Sequence, residues 1–380
     1  MTGPRGFRSA AAARGRPNSQ PARAARQTPP QLRRRPAATW NAGPDPYGNP
    51  DPRPAWLDVD WAAHVHSVTL EFDRGAEGEG PRGRVPINYV DIGSGEVVLL
   101  VHGISGCWQN FLETIPAAAQ NHRVVALDLP GFGGSPMPDW EVSIESYARV
   151  LTEFADALGL ECPTLVGNSM GGFIAVEAVL RDPERYRQLV LLAAAGISSA
   201  TARARPVETT VRVLHALAPL AFEWQKRTMR RPRIRAIGFE GILHRPRRLR
   251  YELLVEQLRG GTGRPGFVPA MHSMLGYDIT EELGSIAIPT TVVCGRQDRI
   301  VPPADAAVFA ERIPGARLDC YEGCGHMPQL ERPTRFNRLL EELLVENAGD
   351  AAEPEAAGDP AAPVEIDPSR GRRPTAAGQA

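Results

Sequence analysis

The chain has 380 residues, 42% of them hydrophobic, and its 43 Lys and Arg against 44 Asp and Glu leave a formal net charge of −1. That is enough apolar material for one large or two smaller cores, and the near-neutral balance excludes a dedicated nucleic-acid binder, whose domain is normally strongly basic. No apolar run reaches the roughly 18 residues that span a bilayer, and five scattered cysteines (Cys107, Cys162, Cys294, Cys320 and Cys324) read as reduced thiols rather than a disulfide framework.

Met1 to about Pro54 is rich in Arg, Pro, Ala and Gly, with no acidic residue before Asp45. Such a composition buries too little surface to offset chain entropy, so residues 1–61 are expected to form a disordered N-terminal tail. Its only apolar run, Ala10 to Ala13, is too short for a secretory h-region, and a cytoplasmic location is the expectation.

From residue 62 the pattern alternates. The segments "HSVTLEF", "VPINYVDI", "EVVLLVHG", "HRVVALDLPG", "CPTLVGNS", "RQLVLLAAAG", "IPTTVVCG" and "ARLDCYEG" read as strands, several apolar on both faces as a covered parallel sheet requires. Helical patterns separate them, notably Ser143 to Leu158, Met170 to Leu180 and Thr334 to Glu346. The repetition predicts an α/β fold with a mostly parallel, doubly wound sheet and an antiparallel start from the first two strands. Core parts are expected over 62–196 and 287–347, with an Arg-rich helical cap inserted over 197–286 and a second disordered tail, rich in Ala, Glu, Pro and Gly, over 348–380.

"VGNSMGG" places Ser169 where an apolar strand ends and a helix begins. A turn sharp enough to push one side chain outward brings backbone segments into close approach, and Gly167 and Gly171 remove the Cβ atoms that would clash there. A serine hydroxyl is a weak nucleophile near neutral pH and needs a base held by an acid. Two strand ends further along supply them, in the order that this architecture requires. Asp298 follows "IPTTVVCG" and His326 follows "LDCYEG"; the loop after "LLAAAG", "ISSATAR", holds no carboxylate.

Upstream, "LLVHGISG" sets His102, Gly103 and Ile104 at another strand end. The backbone N–H groups of Ile104 and Met170 are the expected oxyanion hole, with His102 shaping that loop rather than acting as base. The remaining histidines carry no motif. Cys320, Cys324 and His326 have C-x3-C-x-H spacing, but a structural metal site needs four ligands and no second pair accompanies them, so no metal is assigned.

With "HGISG", "DLPGFGGS", "GNSMGG", "GRQDRIVP" and "GCGHMPQLERP" in this order, the chain resembles α/β-hydrolase-fold serine hydrolases over about Val68 to Asn347. The resemblance implies a triad of Ser169, Asp298 and His326 beneath a helical cap, no cofactor, and a small to medium carboxylic ester as substrate. Serine at 169 disfavours the epoxide hydrolase and haloalkane dehalogenase chemistries of this fold, which use aspartate there. "GNSMGG" and "CWQNF" also resemble the meta-cleavage-product hydrolases, which break a carbon–carbon bond in ring-opened aromatics. Those enzymes usually carry "HGxGPGA", against "HGISGC" here, and a Trp after the histidine, against Met327. Carbon–carbon hydrolysis is therefore the alternative to ester hydrolysis, and cofactor-free perhydrolase activity shares the same triad. Lys226 to Arg250 holds ten basic residues and one acidic residue, Glu240, either a solvated face or a site for an anionic substrate. Phe239 and Ile242 are candidates for an acyl pocket. Oligomeric state leaves no mark in the sequence.

Overall fold

The computed structural model describes residues 45–72, 81–201, 231, 233, 238–259 and 264–350. Eight strands form one sheet: β1 (Val65–Phe72), β2 (Gly83–Ile92), β3 (Val97–Val101), β4 (Arg123–Leu127), β5 (Thr164–Asn168), β6 (Gln188–Leu192), β7 (Thr290–Gly295) and β8 (Arg317–Tyr321). They lie in the order β1-β2-β4-β3-β5-β6-β7-β8. β1 pairs with β2, and β2 with β4, antiparallel; every later pairing is parallel. Each strand overlaps one of the eight segments read from the sequence, with β1 (from Val65) and β2 (from Gly83) beginning ahead of theirs.

In β3, Leu99 and Val101 enter one core cluster while Val98 and Leu100 enter the other, so the sheet is covered on both faces and alternate residues serve opposite layers. The helices that cover it follow from local signals. Ser143 caps Ile144–Ala157 through a reciprocal capping box with Ser146, and a buried stripe from Ile144 through Tyr147, Leu151 and Phe154 faces the sheet. Met170–Arg181 is buried along nearly its whole length, because it leaves the sheet centre directly behind β5.

The described part of the segment expected as a cap contains the helices Tyr251–Gln257 and Phe267–Met274 and short 3₁₀ turns. Residues 202–230 and 234–237 of that segment lie outside the described residues. Phe239 is buried against the core, whereas Ile242 is 37% exposed.

Two expectations need correction. Residues 1–44 and 351–380 of the expected tails lie outside the described residues, but 45–61 pack on the core. Trp56 is 5% exposed, its indole N–H donates to Glu113 Oε1 at 3.0 Å, and the Trp61 ring sits 4.9 Å from that of Trp108. A few aromatic anchors sufficed where the average composition of the segment argued for none. Second, Cys294 and Cys320 are cross-strand partners of β7 and β8, their Cα atoms 4.6 Å apart, and are disulfide-bonded. Their separation of 26 residues concealed that the two strands are neighbours. Among the described residues no helix is long and apolar enough to cross a membrane.

Candidate active site

β5 ends at Asn168, and the chain reverses into a helix through one residue, Ser169, at φ 55° and ψ −119°. Positive φ is costly for a residue with a Cβ and persists where its surroundings enforce it. Here the enforcement is visible in backbone bonds: Ser169 N–H donates to Leu192 O at 2.9 Å, while its carbonyl accepts Gly172 N–H at 3.0 Å and Ala195 N–H at 3.1 Å. A Cβ on Gly167 would overlap the carbonyl of Gly171, and one on Gly171 would overlap the carbonyls of Val101 and His102. The two glycines admit that close crossing of the turn over β3.

Asp298 and His326 come from the ends of β7 and β8, adjacent parallel strands. His326 Nδ1 lies 2.8 Å from Asp298 Oδ2, with the two side chains 8% and 1% exposed. The other carboxylate oxygen accepts the N–H groups of Ile300 at 2.8 Å and Val301 at 3.0 Å, so the acid is fixed before it meets the imidazole. With Nδ1 engaged by the carboxylate, Nε2 is the nitrogen left for a substrate or nucleophile. The Asn168 side-chain Nδ2 donates to Leu192 O at 2.9 Å and to His326 O at 3.4 Å, which ties the residue before Ser169 to the histidine backbone. His326 N–H donates to Ile242 O at 2.8 Å, a contact between the histidine loop and the inserted segment.

Gly103 brings the loop after β3 against the serine: a Cβ there would stand 2.9 Å from Ser169 Cβ. Ile104 follows it, and Met170 opens the helix after Ser169, where the first N–H groups have no intrahelical acceptor. His102 is fully buried; its Nε2 accepts Leu129 N–H at 2.9 Å, so Nδ1 carries the proton and donates to Gly103 O at 2.7 Å. Burial pushes its pKa below the ordinary histidine value, which keeps the ring neutral. Asp128, from "DLPGFGGS", accepts the N–H of Trp108 at 2.8 Å and of Gly134 at 2.8 Å and anchors the far side of the same loop. The sulfur of Cys320 is bonded to Cys294, and among the described residues no cluster of three or more His, Cys, Asp and Glu could hold a metal ion.

Asn168, Asp128 and Glu331 all lie inside the sequence motifs, yet their residue types alone do not disclose what they hold. Most of their partners are backbone groups, and backbone partners leave no trace in residue identities.

A buried serine on a strained strand-to-helix turn at the centre of a mostly parallel sheet, with an imidazole–carboxylate pair at later strand ends, defines the class. The chain belongs to the alpha/beta hydrolase family, whose match covers residues 98–339, and it is a hydrolase. It is similar to a 2-hydroxymuconate semialdehyde hydrolase of Pseudomonas sp. (strain CF600), 32% identical over 280 residues that span 70% of this chain and 92% of that protein. It is likewise similar to a 2-hydroxy-6-oxo-6-phenylhexa-2,4-dienoate hydrolase of Comamonas testosteroni, 30% identical over 68% of this chain and 91% of that one. Among solved structures, a meta-cleavage product hydrolase from Pseudomonas fluorescens IP01 is 28% identical with a TM-score of 0.53, covering 69% of this chain and 95% of that chain.

Proposed function

We propose that the protein is a serine hydrolase that opens its substrate through an acyl-enzyme on Ser169. The observation that carries this reading is the 2.8 Å contact of His326 Nδ1 with Asp298 Oδ2, which leaves Nε2 as the nitrogen available to take a proton from Ser169. His326 takes the Ser169 proton as Oγ attacks a carbonyl carbon. The N–H groups of Met170 and Ile104 donate hydrogen bonds to the negatively charged tetrahedral oxygen. His326 then protonates the leaving group, and a water activated by the same imidazole releases the acid. His102 holds the Gly103 carbonyl so that the next N–H faces inward.

For the bond broken, the relatives favour carbon–carbon hydrolysis of a ring-opened aromatic: the two named above act, by their names, on a semialdehyde and a dienoate of that kind. The leaving carbon would depart as a resonance-stabilised enolate and collect its proton from His326. Ester hydrolysis is the second reading, favoured by the short "HGISGC" loop and Met327 after the histidine. Both readings share the acyl-enzyme. Covalent labelling by a fluorophosphonate, mapped by mass spectrometry, is expected at Ser169 and absent in Ser169→Ala; labelling elsewhere refutes the nucleophile. Turnover of 2-hydroxy-6-oxo-dienoates, read as loss of their visible absorbance, with negligible turnover of nitrophenyl esters supports the first reading. The reverse pattern establishes the second.

A further inference from the structure

A carboxylate with no part in the proposed chemistry grips the histidine loop. Glu331 is 0% exposed. Its Oε1 accepts the N–H of Gly325 at 2.9 Å and of Met327 at 3.3 Å, the residues on either side of His326. Its Oε2 accepts the N–H of His244 at 2.7 Å, from the inserted segment, and the hydroxyl of Tyr47 at 2.8 Å. The Tyr47 hydroxyl in turn accepts Arg245 N–H at 2.8 Å, and Gly48 N–H donates to the Glu331 carbonyl at 2.8 Å. One buried carboxylate therefore gathers donors from three separate stretches of chain.

Tyr47 belongs to the N-terminal stretch that packs on the core, which lies outside the family match at 98–339. That stretch lies across the same neighbourhood like a strap. Arg332 donates to Asp45 O at 2.8 Å, Arg250 donates to Asp51 O at 3.1 Å, and Asn49 donates to Glu113 Oε2 at 2.7 Å. Burial pushes the Glu331 carboxyl above the usual carboxylate range, while its donors pull the other way, so each donor matters to the charge that holds the loop. Removing a hydrogen-bonding partner from a buried charged group costs more than an average hydrogen bond.

We propose that Glu331, held in turn by Tyr47 of the N-terminal strap, is a positioning residue for His326, so that a segment outside the family's shared core sets the angle at which the base meets Ser169. The inference rests on the reading of His326 as that base. Neither residue touches substrate. Their effect passes through two N–H groups flanking the histidine, and small displacements of a base are expensive in rate.

The test uses the full-length chain and the second-order rate of fluorophosphonate labelling at Ser169, measured against pH, together with melting midpoints. Tyr47→Phe, which keeps the ring and loses only the hydroxyl, is expected to slow labelling roughly tenfold, and Glu331→Gln roughly a hundredfold. In both, the acid-side inflection of the profile moves to lower pH, because a histidine set less squarely on Asp298 loses support for its proton. Trp56→Phe, a strap substitution whose lost hydrogen bond goes to Glu113 and not to Glu331, lowers the midpoint and leaves the labelling rate and inflection unchanged. Wild-type rate and inflection in Tyr47→Phe would overturn the proposal, as would a slowing in Trp56→Phe equal to that in Tyr47→Phe. Failure of the wild-type protein to label at all would instead remove the base assignment beneath it.

Discussion

Asp298 Oδ2 and His326 Nδ1 are 2.8 Å apart although 28 residues separate them, because each lies just past one of two paired strands. Asp298 spends its other oxygen on two backbone N–H groups and so has one orientation available. Asp298→Asn keeps the shape and turns the acceptor facing Nδ1 into a site that an amide donor can occupy, which favours the wrong imidazole tautomer. Turnover should fall by about 10⁴ with the fold retained, measured as kcat on whichever substrate the panel identifies. Activity within tenfold of wild type would show that another acid supports His326.

Ser169 stores backbone strain, at φ 55° and ψ −119°. On the proposed role of Ser169 as nucleophile, Ser169→Ala should abolish turnover and leave the melting midpoint nearly unchanged. Ser169→Gly should be equally inactive yet more stable, by about 1 kcal/mol, because glycine occupies that conformation freely. Calorimetry of the three proteins decides it, and a glycine variant less stable than the alanine variant would contradict the strain.

Trp56 is 5% exposed and packs among core residues. Trp56→Ala should therefore cost about 3 kcal/mol or more, typical of emptying a buried aromatic site. Composition alone placed Trp56 in a disordered tail over residues 1–61. Chemical denaturation of the alanine variant tests the correction, and a loss below about 1 kcal/mol would restore the earlier view.

Glu113 gives a stability signal that varies with pH. It is 5% exposed, and burial raises its pKa despite hydrogen bonds from Asn49 and Trp56. A carboxyl whose folded pKa exceeds its unfolded value is favoured in the fold while protonated, so its contribution is full below the unfolded pKa and fades as pH rises through the folded one. Glu113→Gln removes that dependence. The midpoint of wild type minus that of the variant should be greatest near about pH 4 and shrink toward about pH 8; a difference that grows with pH would reverse the assigned sign.

The architecture was legible because the central strands, such as β3 and β5, are short apolar runs buried along their whole length, separated by stretches of helical periodicity. The residues of the candidate triad were legible for another reason: each sits directly beyond a strand in a fold that builds sites at such ends. What escaped depended on long-range company. Trp56 and Tyr47 sit in a stretch whose average argues for disorder, and only the partners Glu113 and Glu331 give them a place. The Cys294–Cys320 bond likewise needs the register of β7 on β8, which no local pattern carries.

The elbow glycines differ in what closes them, and this bears on how the turn could change over generations. Around Gly167 and Gly171 the obstructing atoms are main-chain carbonyls, of Gly171 and of Val101 and His102. No second substitution removes a main-chain oxygen, so a side chain at 167 or 171 has no suppressor and those positions are mutational dead ends. Gly172 is obstructed first by the Cβ of Ala194, at 2.6 Å. That obstruction can be exchanged: the methyl could migrate across the contact, with Gly172→Ala tolerated once Ala194→Gly has made room, a pair of changes each harmful or idle alone and compatible together.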